Sequence, residues 1–155
     1  MKATLIGLAL LAPLSMGAAD LPNRTYPMVA FEEFSDDIGD AGREETRVLL
    51  TSAREYAALF GHEAPKSVDF GREWVVFYSA GIKPTGGYDA SVLDIRLTEN
   101  GRSLLVTTSL VSPGPGCIVT LALTKPYALV KLEATTRDLN VVRFAACDVE
   151  IDCSR

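Results

Sequence analysis

The chain has 155 residues, 48% of them hydrophobic and 23% charged, with 15 cationic and 20 acidic side chains for a net charge of −5. That length suits one domain built on one sizeable core. An acidic balance with scattered cations leaves no electrostatic footprint for nucleic acid or for an anionic membrane surface.

Residues 1–19 read as an export signal. Lys2 supplies a positive start, Leu5-Ile6-Gly7-Leu8-Ala9-Leu10-Leu11-Ala12 a short apolar run, Pro13 a helix break, and Gly17-Ala18-Ala19 the small residues of a cleavage site. The apolar run is well short of the ~20 residues that span a bilayer, so cleavage near Ala19 is expected rather than an anchor. The expected mature protein is a single domain over residues 20–155, periplasmic or extracellular, with no membrane anchor after cleavage. Residues 20–27 read as an extended arm, and the sequon-like Asn23-Arg24-Thr25 as a chance match.

Residues 28–34 are expected to form a first strand. Asp36, Asp37, Gly39, Asp40 and Gly42 make residues 32–45 an acidic, solvated loop that lacks the ligand spacing of a calcium loop, so no metal site is assigned. A strand over residues 46–50 follows. Ser52-Ala53-Arg54-Glu55 is a capping box, in which Ser52 caps a backbone N–H and Glu55 reaches back to the cap residue. Tyr56, Leu59 and Phe60 give the resulting helix, residues 53–60, its apolar face, and Gly61 ends it.

Beyond the helix nearly every signal is β. Residues 74–78, Trp74-Val75-Val76-Phe77-Tyr78, read as a buried strand. Residues 92–97 and 104–110 flank Glu99-Asn100-Gly101, and Asn-Gly between alternating apolar runs predicts a hairpin. Residues 118–123, 127–132 and 141–151 supply further strands. The fold class is mainly β: an antiparallel sandwich or partial barrel of about seven or eight strands with one short helix.

Three cysteines, Cys117, Cys147 and Cys153, in an exported chain predict one disulfide. Cys147 and Cys153 lie six steps apart in a strand-like alternation, roughly 20 Å at ~3.3 Å per residue. A disulfide needs Cα atoms within about 7 Å, so Cys117 takes one of the two. Cys153 is favoured, because a tie there holds an end that otherwise frays, with Cys147 the alternative.

Catalytic groups are scarce. The single histidine, His62, sits past the helix end beside Gly61 and Glu63, and its expected role is to face the helix C-terminal carbonyls. A Cys117/His62 dyad lacks a nucleophile signature. There is no nucleophile elbow, phosphate loop or dinucleotide fingerprint, so the chain is read as non-enzymatic and free of cofactors. Two Gly/Pro-rich segments carry more. Pro84-Thr85-Gly86-Gly87-Tyr88 is either a tight turn whose tyrosine packs on the core, or a backbone-rich loop that presents Tyr88 to a protein partner. Pro113-Gly114-Pro115-Gly116-Cys117 is a rigid loop at a strand end, placed to lie alongside the first.

The order of these segments resembles a known family. Val68-Asp69-Phe70 leads into residues 73–78, then come Pro84-Thr85-Gly86-Gly87-Tyr88, Pro113-Gly114-Pro115-Gly116-Cys117 and Thr124-Lys125-Pro126-Tyr127-Ala128-Leu129-Val130. The series is similar to the PrcB C-terminal domain family, from an accessory subunit of a bacterial surface protease complex, over about residues 52–144. The resemblance implies an exported protein that assists or stabilises a protease without being one. The Pro84–Tyr88 segment is also similar to the inhibitory loop of chagasin-type protease inhibitors, which implies direct inhibition as an alternative. A β protein carrying a small ligand in its interior is the third reading.

Overall fold

The computed structural model describes residues 26–98, 101–134, 139 and 141–154. The leader predicted over residues 1–19, the sequon and the Glu99-Asn100 pair of the hairpin turn lie outside the described residues.

Eight strands form two four-stranded sheets that do not close into a barrel. One sheet has the order β1 (Phe31–Glu33), β6 (Tyr127–Glu133), β3 (Glu73–Ala80), β2 (Glu45–Leu50), antiparallel throughout. The other has β4 (Asp89–Leu97), β5 (Ser103–Pro113) and then β7 (Val141–Ala146) and β8 (Val149–Ile151), which both pair with β5. β4 and β5 make the predicted antiparallel hairpin, with Leu97 opposite Leu104 and Gly101 in a left-handed conformation at φ 67°. The exception to antiparallel order is the pairing of β5 with β7 and β8, which is parallel. Between them the chain visits the opposite sheet as β6, and a strand that returns that way re-enters in the original direction. The predicted strand over residues 141–151 is interrupted at Cys147 and Asp148, where Cys147 N–H donates to Thr108 O and Asp148 accepts from Leu110 N–H.

The uninterrupted apolar run of β3 has a physical reason. Trp74 and Val76 face the other sheet and pack with Val92, Ile95, Leu104, Val106, Val130 and Leu132. Val75 and Phe77 point the other way, into Ile38, Leu50, Tyr56, Phe60 and Leu129 beneath the helix. A strand covered on both faces loses alternation, because both sets of side chains leave water. The helix α1 (Ala53–Phe60) supplies that second cover with buried Tyr56 and Phe60. Its N-terminus is capped by Ser52, whose Oγ accepts from Glu55 N–H at 3.3 Å. The Glu55 carboxylate turns back over the cap as the capping box predicted, with Ser52 among its donors, but its closest partners are the N–H and hydroxyl of Thr51, one residue earlier, at 2.7 and 3.0 Å. Gly61 closes the helix at φ 80°, donating to Ala57 O.

Two sequence expectations need correction. The acidic stretch is not a free loop: Ile38 is buried, residues Gly39–Gly42 form a 3-10 turn, and Tyr56, Tyr127, His62 and Lys125 all bond to it. Residues 118–123 do not form a strand. They follow the disulfide at Cys117, bend at Leu121 and Ala122, and leave Ile118, Leu121 and Leu123 in solvent.

Candidate functional site

The two Gly/Pro segments chosen from sequence converge at one end of the sandwich. Residues 84–88 connect β3 to β4, and residues 114–117 follow directly on the last residue of β5, Pro113. Gly87, at φ 85°, lies so close to its neighbours that a Cβ there would sit 2.9 Å from Val119 Cγ1 and 3.3 Å from Pro113 Cβ. Gly86 is buried; a Cβ on it would meet Thr120 Oγ1 at 2.3 Å, and its N–H donates to Thr120 O. Thr124 Oγ1 donates to Thr85 O at 2.8 Å, and Lys83 and Thr124 bridge through both backbone groups. Glycines suit these positions because Gly87 takes a left-handed φ and the side chains of Val119, Pro113 and Thr120 occupy the space a Cβ would need.

The second segment is tied to the C-terminal strand. Gly114 N–H donates to Ile151 O, Cys153 N–H donates to Pro115 O, and Gly116 takes φ 78° against Ser154. A disulfide joins Cys117 to Cys153, with Cα atoms 4.8 Å apart, the pairing favoured from sequence. Cys147 is free and exposed.

Tyr88 is half-buried, with Lys83 Nζ 6.0 Å from its ring centroid. Pro84 and Gly87 are exposed. The loop therefore neither projects as a free finger nor vanishes into the core: it lies along residues 118–124 and shows one flank to solvent. What sequence reasoning missed is the surface this creates. Ile82, Ile118, Leu121 and Leu123 are exposed large hydrophobics on or beside the loop assembly. Ile82 and Leu123 form a shallow pocket of about 240 Å³ with Arg43 and Lys125. The signal was the apolar pattern of residues 118–123, which predicts a strand in sequence.

The polar groups that might have suggested catalysis have structural partners. His62 has Nδ1 2.9 Å from Glu63 O and Nε2 2.7 Å from Asp37 O. Both acceptors are carbonyls, an arrangement that favours the protonated ring, in which both nitrogens donate. These bonds, that to Asp37 first, and the Asp36 carboxylate 3.9 Å away raise its pKa. His62 thus pins the acidic segment rather than facing the helix carbonyls. Tyr56 donates to the Asp36 carboxylate, and burial, with that carboxylate beside it, pushes the phenol pKa well above its ordinary value. Tyr127 OH donates to Asp36 O at 3.0 Å. Cys117 is bonded to Cys153 and has no thiol for a dyad with His62. No group of three or more His, Cys, Asp or Glu side chains among the described residues is placed to hold a metal ion.

A polar cleft of about 440 Å³ opens between β1, β4 and β6, lined by Glu33, Ser35, Asp89, Ser91 and Tyr127. Asp89, which follows Tyr88, brings one edge of it to the end of the first loop. The space between the sheets is packed with side chains rather than hollow, which leaves a small-ligand carrier without the interior it requires. No helix among the described residues is long and apolar enough to cross a membrane.

Residues 74–133 match the family model described as PrcB C-terminal. This is the family to which the order of motifs pointed. The PrcB C-terminal match is narrower than that likeness: it runs from β3 to the end of β6 and takes in both loops and the exposed segment between them, but leaves out α1, β7 and β8. No curated protein and no solved structure matches the chain.

Proposed function

We propose that this protein is an exported, non-enzymatic binding module that assists or stabilises a protease outside the cytoplasm. The observation that carries the reading is the convergence of the Pro84–Tyr88 and Pro113–Gly116 segments into one rigid surface, with Gly87 wedged against Pro113. Binding loops held on a fixed scaffold lose little entropy on association. The PrcB C-terminal match covers this whole surface and supports an accessory role beside a protease. The disulfide supports an oxidising compartment. Direct inhibition ranks second, because a loop packed along residues 118–124 is not a wedge free to enter a protease cleft.

Capture from an envelope extract tests the reading, with wild type compared against Tyr88→Ala. Wild type is expected to recover a protease-containing set, and the variant to recover several-fold less of it. Equal recovery by both would remove the loop from the contact surface. Recovery of no protease by either would remove the protease association.

A further inference from the structure

The segment between Cys117 and Thr124 carries a strand's sequence without a strand's partner. Ile118, Val119, Thr120, Leu121, Ala122 and Leu123 have the composition of a half-buried strand. Yet among the described residues none of their backbone amides donates a hydrogen bond. Ile118 and Leu121 are almost entirely exposed and Leu123 is largely so. The segment's own contacts run the other way: Thr120 O accepts from Gly86 N–H, and Val119 packs toward Gly87. One side is thereby fastened to the scaffold, while Ile118, Leu121 and Leu123 stand in solvent and the segment's amides make no bond among the described residues.

The charges around it select the partner. Three cations lie along it: Arg43 and Lys125 line the pocket with Ile82 and Leu123, and Lys83 is backbone-paired to Thr124. Arg43 pairs with Asp40, whose carboxylate Lys125 also attracts while its Nζ donates to Gly39 O at 2.8 Å; Lys83 makes no ion pair among the described residues and keeps its Nζ 6.0 Å from the Tyr88 ring centroid.

We infer that residues 118–123, with Ile82, Lys83 and Lys125, form a docking surface for an extended segment of a partner protein, apolar along its middle and flanked by carboxylates. Its backbone carbonyls accept from the free amides, its apolar side chains cover Leu121 and Leu123, and its carboxylates meet the lysines. Backbone pairing of this kind gives affinity, while flanking pockets and charges give selectivity. The inference rests on the binding-module reading and names the kind of partner segment that surface takes.

The test uses the full mature chain with its disulfide intact and three synthetic nine-residue peptides. One has alternating leucines between aspartate pairs, the second has the same core between lysine pairs, and the third has aspartate pairs around a serine core. The first is expected to bind at least tenfold tighter than the others, and to slow hydrogen exchange at amides 118–123. Leu121→Ser/Leu123→Ser is expected to weaken it at least tenfold and Lys83→Glu several-fold, with unchanged melting temperatures because these side chains are exposed. Equal binding of the lysine-flanked peptide, or of the variants, would overturn the inference. So would exchange already slow in the free chain, or a concentration-dependent dimer that the double variant abolishes, since a second copy would then be the occupant. If Tyr88→Ala loses the captured protease while Leu121→Ser/Leu123→Ser keeps it, this surface fails and the module reading stands. If wild type captures no protease, that reading fails and the peptide measurements alone decide this surface.

Discussion

Two glycines with the same backbone conformation provide a direct measure of how tightly the candidate surface is built. Gly61 and Gly87 have φ of 80° and 85°, but a Cβ at Gly61 would meet nothing within 4 Å, whereas one at Gly87 would sit 2.9 Å from Val119 Cγ1 and 3.3 Å from Pro113. Gly61→Ala therefore reports the left-handed backbone alone. That conformation costs roughly 1–2 kcal/mol for a residue with a Cβ, and the less flexible unfolded chain offsets about 0.4–1 kcal/mol of it, leaving a net loss of about 1 kcal/mol. Gly87→Ala carries the same backbone cost plus overpacking, typically about 1–3 kcal/mol where a methyl enters an occupied site. Urea unfolding, followed by the fluorescence of the single tryptophan, Trp74, gives both values. The second substitution is expected to cost about 1–3 kcal/mol more than the first. Adding Val119→Ala to Gly87→Ala removes the closest contact and is expected to recover part of the difference, a coupling that non-neighbouring sites do not show. Equal costs for Gly61→Ala and Gly87→Ala, or no recovery from Val119→Ala, would mean that the two loops are not packed together, and the argument for one rigid surface would fall.

Other measurements probe the supports of that surface. Tyr56→Phe removes the hydroxyl that donates to Asp36 and is expected to cost about 1.5–3 kcal/mol in urea unfolding, the range for a hydrogen bond to a charged group. Reduction of the Cys117–Cys153 disulfide opens a loop of sequence separation 36, for which chain entropy predicts a loss of about 3–4 kcal/mol; a much smaller loss would show that the bond restrains only the fraying end. His62 has a folded pKa raised by its bonds to Asp37 and Glu63 carbonyls, so its contribution is fully present below the unfolded value of about 6.5 and is lost as pH rises through the folded pKa. The stability gap between wild type and His62→Gln is accordingly expected to shrink as pH rises from 6 to 9, and a pH-independent gap would refute the doubly donating ring.

Local signals in the chain translated well into local structure. Ser52 and Gly61 bracket the helix as their chemistry requires, and β4 and β5 pair as expected of apolar runs that flank Asn-Gly in the sequence. The disulfide was legible because strand geometry removed one pairing and the frayed end favoured another. Contacts between distant segments were not legible. The parallel pairing of β5 with β7 depends on an intervening visit to the other sheet, which no local pattern records. The bonds of Tyr56 and Tyr127 to Asp36 span 20 and 91 positions, so the acidic stretch looked solvated when it is anchored.

The sharpest contrast is between β3 and residues 118–123. β3 lacks alternation and is nonetheless a central strand, since α1 covers one face and the second sheet the other. Residues 118–123 have strand-like composition and pair with no strand among the described residues. Composition and period report that a segment is suited to a pleated, half-buried surface; they do not say which chain supplies the other half. Within this molecule the neighbouring backbone is the glycine loop, which fastens one side of the segment and leaves the apolar side chains outward. Burying Leu121 and Leu123 against a partner would recover about 1.5–3 kcal/mol for each side chain fully removed from water, before the cost of association. Substituting them should therefore weaken partner binding while barely moving the melting temperature, a separation that a misplaced core strand could not produce.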